Sequence, residues 1–365
     1  MASPQDPAPS ATTPAAPDSP VPASGPEMTT ILVADDNIEE NDGDSTYGSV
    51  ASSSTSLASS ILRLRQENGR KYHSYKAEKE YILPSDEQET DRLDLQHYIF
   101  CLTFDNQLYT CPAGRDGKPL NRVFDAGTGT GIWAMDFADE HPEAHVIGVD
   151  LSPIQPSFVP PNVNFYVDDL EDEWTYSEPF DFIYARMLTG GIADFPKFME
   201  RSFENLRPGG WLEFADITFP AGCDDGTLPA DSAILKWNTL ALQAADTIGR
   251  SIESGKKYKE QMEEAGFVNV VEKVYKWPIN PWPKDARYKE IGAYTEINIG
   301  SGLYGLSVAL FTRVLGWSIE ELEVLLAGVR KELSNRHIHA YWPIWVVYGQ
   351  KPEDGKKPVP VPAEA

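Results

Sequence analysis

From residue 121 onward, short apolar runs alternate with longer stretches of mixed polarity, the pattern of strands separated by helices. Strands are predicted at 122–125, 144–149, 162–167, 180–185 and 210–217, with helices between them starting near Gly131, Ser152 and Ala193. Repeated strand–helix–strand spacing builds a parallel sheet covered by helices on both faces, with right-handed crossovers. Past Ile217 the rhythm changes. Helices are predicted at 230–248 and 256–265, the second stopped by Gly266, then a Val- and aromatic-rich strand at 267–277. The prolines within 277–283 argue against regular structure there. Two more helices, 287–301 and 318–333, precede a last strand at 344–350. Ahead of the sheet, a first helical stretch begins near Leu62. A second is expected over 86–104, with Leu93, Leu95, Ile99, Cys101 and Leu102 as its apolar contacts.

Composition divides the chain. Residues 1–60 are rich in Pro, Ala, Ser and Thr, carry Asp and Glu but no Lys or Arg, and hold few large apolar residues besides Ile31, Leu32 and Val33. Such a segment buries too little apolar surface to offset its chain entropy, so it is expected to be a disordered tail. A folded domain is expected over 61–352, with an insertion at 278–343, and a flexible Pro-rich tail over 353–365. The formal net charge is −25, which disfavours a broad nucleic-acid-binding face. Three cysteines, Cys101, Cys111 and Cys223, supply neither a disulfide framework nor a CxxC metal pair, so no metal is expected. No secretory signal and no apolar run of membrane-spanning length is visible. The expected compartment is the cytoplasm or the nucleus.

The sharpest local signal is Val123-Phe124-Asp125-Ala126-Gly127-Thr128-Gly129-Thr130-Gly131, where a strand should meet a helix. Glycines there let the backbone turn sharply and approach a ligand. The spacing is GxGxG, not the GxGxxG of dinucleotide sites, and Asp125 precedes the first glycine by two. S-adenosylmethionine (SAM) has no phosphate. Its amino-acid end needs an acceptor for an ammonium and donors for a carboxylate, and Asp125, Gly127, Thr128, Gly129 and Gly131 offer part of that set. Asp150 ends the next strand, about 20 residues on, where a carboxylate accepts from ribose hydroxyls; it also suits a helix N-cap. Asp168 and Asp169 end the third strand and are candidates for the adenine amino group, with Leu170 against the ring. Ala185 and Arg186 end the fourth strand, at the pole of the sheet where ligands bind.

Together these motifs resemble the class I SAM-dependent methyltransferases, and Leu206-Arg207-Pro208-Gly209-Gly210-Trp211-Leu212-Glu213 looks like that superfamily's turn into the fifth strand. A narrower resemblance is to the fungal LaeA-like methyltransferases. It is carried by residues 68–75, 81–87 and 92–97 before the glycine loop, and after it by 223–228, 280–285, 337–342 and 348–352. The resemblance spans roughly Leu62 to Pro352. It implies an α/β, Rossmann-like, seven-stranded and mostly parallel sheet, its antiparallel last strand inserted beside the sixth. It also implies SAM as cofactor and methyl transfer as activity. By the same analogy Tyr72, Tyr75 and Tyr81 are candidates to cap the cofactor.

On the acceptor side, His337 and His339 are candidate general bases, because an oxygen acceptor needs deprotonation. Arg186 and Asp216 are further candidates, and Trp282, Tyr294, Tyr304 and Trp342 are candidates for an aromatic wall. The acceptor is expected to be a small molecule of secondary metabolism or a protein. The alternative is a LaeA-like nuclear regulator with protein partners, in which the SAM fold serves complex assembly. A nicotinamide-dependent dehydrogenase shares the strand–loop–helix, but the GxGxG spacing and the last strand count against it.

Overall fold

The computed structural model describes residues 27–28, 30, 32–35, 64–73, 75, 81–115 and 117–358. The tail expected over 1–60 therefore lies mostly outside the described residues. Its exceptions form strand β1 (Glu27–Met28) and a short run to Asp35. The first helical stretch expected near Leu62 is instead a hairpin of β2 (Leu64–Glu67) and β3 (Arg70–His73), turned at Asn68 and Gly69, both with positive φ. Alternating Leu and Arg suits a two-sided strand better than a helix face.

Helix α1 (Glu87–Thr103) begins at Asp86, whose carboxylate accepts from the Glu89 N–H and pairs with Arg70 at 2.7 Å. The sheet proper starts with β4 (Arg122–Ala126), followed by α2 (Ile132–Glu140), β5 (His145–Asp150), β6 (Val163–Val167), β7 (Phe180–Arg186), α3 (Phe195–Asn205) and β8 (Leu206–Ile217). The helix expected after Ser152 does not form. Asp150 does accept from the Ser152 N–H at 2.9 Å, as an N-cap would. But Pro153, Pro156, Pro160 and Pro161 remove N–H donors and push their predecessors out of the helical region, so the connection to β6 is irregular.

The second half contains β9 (Gly222–Cys223), α4 (Ala233–Thr247), α5 (Tyr258–Ala265), β10 (Val268–Pro278), α6 (Ala286–Ala309), α7 (Ile319–Leu333) and β11 (Ala340–Gln350). Trp277 and Pro278, expected to be irregular, end β10 in register with Trp342 and Tyr341. A proline is tolerated at a strand end, where its missing donor breaks little of the ladder. The order across the sheet is β1-β10-β11-β8-β7-β4-β5-β6. β4 to β8 run parallel, and β11 is antiparallel to both neighbours, between β8 and β10. Leaving aside the short β1 and β9, this is the seven-stranded order expected, with the last strand inserted beside the sixth.

Helices α3 and α5 pack one face of the sheet, around Phe198, Met199, Phe214 and Tyr258. The other face carries α2 beside the first strands and, beside β8 and β11, a helical cap of α1, α4, α6 and α7. The tail expected from 353 is partly packed: Glu353 pairs with Lys118 at 2.7 Å and Lys357 lies over the Phe203 ring.

Candidate functional site

A cavity opens at the carboxyl ends of β4, β5 and β7, where a parallel sheet leaves backbone groups and turns free to meet a ligand. Its floor is the turn after β4. Gly127, Gly129 and Gly131 all have positive φ, at +72°, +57° and +81°. Their reasons for being glycine differ. A Cβ at Gly127 would lie 2.3 Å from a Leu188 methyl, and one at Gly131 would lie 2.3 Å from the Phe165 ring. At Gly129 no neighbour comes closer than 3.5 Å, so there the backbone twist and the ligand space beside it favour glycine.

Asp125 is buried beneath this turn and accepts from the Thr128 hydroxyl at 2.5 Å. Burial pushes its carboxyl up to about 6, against the pull of the Thr128 bond and the Arg186 charge. Asp150 is fixed by two backbone donors, Gly129 N–H to Oδ2 and Ser152 N–H to Oδ1, both at 2.9 Å. One N–H per oxygen leaves a further lone pair on each to receive hydroxyls. Farther along, Asp168 accepts from the Asp169 N–H and Asp169 from the Glu171 N–H, both at 2.8 Å. Asp168 is exposed, Asp169 is buried, and Leu170 packs beneath them.

The roof comes from residues before the sheet. Ser85 and Ser152 share a hydroxyl–hydroxyl bond of 2.9 Å, tying the segment 81–85 to the end of β5. Tyr81 lines the cavity, and burial pushes its phenol well above the usual range. From α1, Glu89, Arg92, Leu93 and Gln96 line it too. Arg92 is held by both Glu89 oxygens, at 3.0 and 2.7 Å, and donates to Asn298 of α6 at 3.1 Å. The wall beyond β7 is the loop 187–192. It opens with Met187 at φ +56°, a left-handed conformation uncommon for a side-chain-bearing residue. Asp216 holds this loop from behind by accepting the Thr189 N–H.

Of the residues singled out in the sequence, Asp125, Gly127, Thr128, Gly129, Asp150, Asp168, Asp169, Leu170, Arg186 and Tyr81 line this cavity. Gly131, Ala185, Tyr72 and Tyr75 do not. Gly131 caps α2, Ala185 is buried in β7, and the Tyr72 ring lies under the Arg313 guanidinium. His337 and His339, expected as bases, also stand outside it. His339 is paired with Asp225 at 2.5 Å and rests against Trp282, while the His337 N–H is held by Asn335. Among the four wall aromatics, Trp282, Tyr294, Tyr304 and Trp342, none lines the cavity; Trp342 is buried in β11 beneath the cap, and Trp282 is buried between β10 and α6. The sequence reading overlooked Glu89, Arg92 and Gln96. Their spacing puts them on one side of α1, and until the helix is seen under α6 that side reads as solvated.

The strand order and the acidic–glycine–acidic series around this cavity define a class I SAM-dependent methyltransferase. Residues 95–272 match a family model described as a methyltransferase domain. Methyltransferase pytC of Aspergillus terreus is 41% identical over 302 residues, 82% of this chain and 92% of that protein. The secondary metabolism regulator LAE1 of Cochliobolus heterostrophus is 38% identical over 291 residues, 79% of this chain and 94% of that protein. A solved structure of phosphoethanolamine N-methyltransferase 2 from Haemonchus contortus, in complex with SAM, is 20% identical. It covers 66% of this chain and 51% of that one, with a TM-score of 0.40. The chain belongs to the fungal LaeA-like methyltransferase family. The cofactor of that family, SAM, suits the residues present: a fixed carboxylate with spare lone pairs, a glycine turn with room above Gly129, and an apolar face at Leu170.

Proposed function

We propose that this protein transfers the methyl group of SAM to a small, largely apolar acceptor. The observation that carries the reading is the contrast between the two ends of the cavity. One end is the polar series from Asp125 to Asp169. The other is walled by Ile82, Ile217, Phe219, Ile252, Leu306 and Leu310, drawn from the roof, the end of β8 and the cap. An apolar acceptor gains roughly 25 cal/mol for each Å² it buries against such walls.

In this reading Asp150 holds the ribose hydroxyls and the turn Asp168-Asp169-Leu170 holds the adenine. Gly127 to Gly129, with Asp125, receive the amino-acid end, and Tyr81 covers it. The cofactor supplies an activated methyl group. The chain supplies alignment and exclusion of water, which convert an encounter in solution into a reaction between neighbours. His337 and His339 have no part in this scheme.

Calorimetry with S-adenosylhomocysteine tests the cofactor half. Asp150→Ala should weaken binding about 10- to 100-fold, the cost of a lost charged hydrogen-bond acceptor, while the protein still melts cooperatively. Undiminished binding would overturn the assignment. A fungal strain carrying Asp150→Ala tests the acceptor half when its metabolites are compared with those of a deletion strain. The same loss in both supports an enzyme. A wild-type profile from the Asp150→Ala strain would favour the regulatory reading that the name of the Cochliobolus relative suggests.

A further inference from the structure

Among the described residues two cations line the cavity, and they are in different states. Arg92 is consumed by Glu89 and Asn298. Arg186 is not. Among the described residues no carboxylate lies within ion-pair distance of it, although the chain carries a formal net charge of −25 and has carboxylates to spare. Asp125 feels its charge without reaching it. Its guanidinium lies 4.9 Å over the Phe100 ring and makes one hydrogen bond, from Nη2 to His97 Nδ1 at 3.1 Å. An arginine can only donate, so Nδ1 must carry the lone pair. The ring's proton then sits on Nε2, which faces Asp136 at 2.9 Å. A neutral histidine fixed from behind by a carboxylate thus orients a cation without neutralising it. The remaining donors of Arg186 are uncommitted. Next to His97 on α1, Gln96 is only 4% exposed, lines the same cavity and has no side-chain hydrogen-bond partner among the described residues.

A half-buried guanidinium with donors to spare, lining a cavity beside a buried amide that has no partner, suits an anion, which such donors hold through charge-assisted hydrogen bonds. The identity of the strand end adds direction. Arg186 is the last residue of β7, between the cofactor turn and the apolar walls contributed by Phe219 and Ile252. We infer that Arg186, positioned by His97 and assisted by Gln96, binds an acceptor whose nucleophilic atom is anionic: a phenolate, enolate or carboxylate. The inference rests on the methyl-transfer reading above and names its substrate class.

The charge balance agrees. The acceptor loses its proton to solvent, at a pKa lowered by the adjacent guanidinium. The acceptor's electron pair then forms a bond to the methyl carbon as the carbon–sulfur bond breaks. The pair from that bond stays on sulfur, so one negative and one positive charge disappear together. An amine or thioether acceptor would instead gain positive charge beside Arg186, and in a low-dielectric cavity that raises the barrier. Arg186 is thereby assigned as an acceptor-binding residue and His97 as a positioning residue.

Fluorescence titration of the full chain, saturated with S-adenosylhomocysteine, tests this. The probes are benzoate, 1-naphthoate and 2-naphthoate against the corresponding neutral amides. At least one carboxylate should bind about tenfold tighter than its amide, and Arg186→Gln should erase that preference. His97→Ala should weaken the carboxylate several-fold. His97→Asn, whose amide oxygen can take the place of Nδ1, should restore it. S-adenosylhomocysteine affinity, measured separately, should stay within about threefold of wild type in Arg186→Gln. Equal binding of acids and amides by the wild-type protein would overturn the inference, as would a preference that survives Arg186→Gln. So would loss of S-adenosylhomocysteine binding in that variant, which would give Arg186 to the cofactor's own carboxylate. Failure of the wild-type chain to bind S-adenosylhomocysteine would instead refute the methyl-transfer reading on which this one stands.

Discussion

Three carboxyl groups of the sheet are buried, Asp125 at the cavity floor and the other two within the fold, and all three are pushed upward by burial: Asp125 to about 6, Asp216 to about 6 and Glu213 to about 7. Each has polar partners that pull the other way. Thr128 serves Asp125, Tyr258 and Thr189 serve Asp216, and the N–H groups of Thr110 and Cys111 serve Glu213. A raised carboxyl binds its proton more tightly in the folded chain than in the unfolded one. Its stabilising contribution is therefore complete below the ordinary carboxylate range, near 4, and is lost progressively as pH climbs from there to the folded values of 6 to 7, at a total cost of order 3 kcal/mol per group. The melting temperature of the free protein should accordingly rise as pH falls from 8 to about 5.5. Asp216→Asn offers a clean check, since the amide can still accept from Thr189 while Tyr258 donates to Ser254. It should raise the melting temperature at pH 8, lose that advantage progressively as pH falls towards 4, and flatten the slope by roughly a third. A pH-independent melting curve would refute the account. At this scale the chain was most readable where chemistry is local. Asp125, Asp150 and the two carboxyls after β6 declare themselves by their place at strand ends. Gln96 and His97 do not, because their meaning depends on Arg186, 89 positions further on.

Elements were legible where period and punctuation agree. The strands β4 to β8 and the helices α4 and α7 fall within a few residues of their apolar pattern, and Ser318 with Glu321 closes a reciprocal capping box at the start of α7. Replacing Ser318 by Ala should therefore cost about 1 kcal/mol, read as a lower denaturation midpoint with binding untouched. The turn into α2 makes a harsher demand. A side chain at Gly131 meets the Phe165 ring at 2.3 Å and a φ of +81°. Gly131→Ala should destabilise the protein by about 2–4 kcal/mol, summing steric overlap and left-handed strain. In the Phe165→Leu background the penalty should shrink, because the overlap is relieved and only the twist is left. Equal penalties in both backgrounds would mean that the ring plays no part. That glycine was read as a ligand contact, yet it keeps room for a ring on the next strand but one. Local sequence could not tell the two apart, since both need the same missing side chain. The segment after β5 misled for a related reason: an N-cap bond formed at Asp150, but prolines at 153 and 156 left it no helix to cap.

For the whole molecule, strand order followed from the alternation of strands and helices plus a family resemblance, while the cap's contribution to the cavity did not. Helix α6 reaches the apolar end of the cavity only because β10 and β11 carry it back over the sheet, and no local pattern encodes that return. The sheet's outer edge was also hidden in the sequence. Strand β10 would present a row of unpaired backbone groups, which invites pairing with another chain. Here β1 lies parallel to it at Lys273 and Val274, and Ala34 bridges to Pro283. The following contacts hold the segment: the Asp35 N–H donates to Trp282 at 2.9 Å, the Lys284 N–H donates to Val33 at 2.7 Å, and Lys289 pairs with Asp35. A composition that reads as tail thus still supplies an edge cover, because backbone hydrogen bonding needs no particular side chains. None of the described residues among 27–35 lines the cavity. A chain starting at residue 60 should therefore keep its S-adenosylhomocysteine affinity. With several backbone bonds and one ion pair gone, it should lose about 1–3 kcal/mol of stability and melt several degrees lower. Its bared edge should also make it associate with rising concentration, which light scattering would show. If the shortened chain melts with the full one and stays monodisperse, the segment covers nothing that matters. If it loses the cofactor analogue as well, the edge and the cavity are coupled through β10 and α6, and the tail belongs to the site.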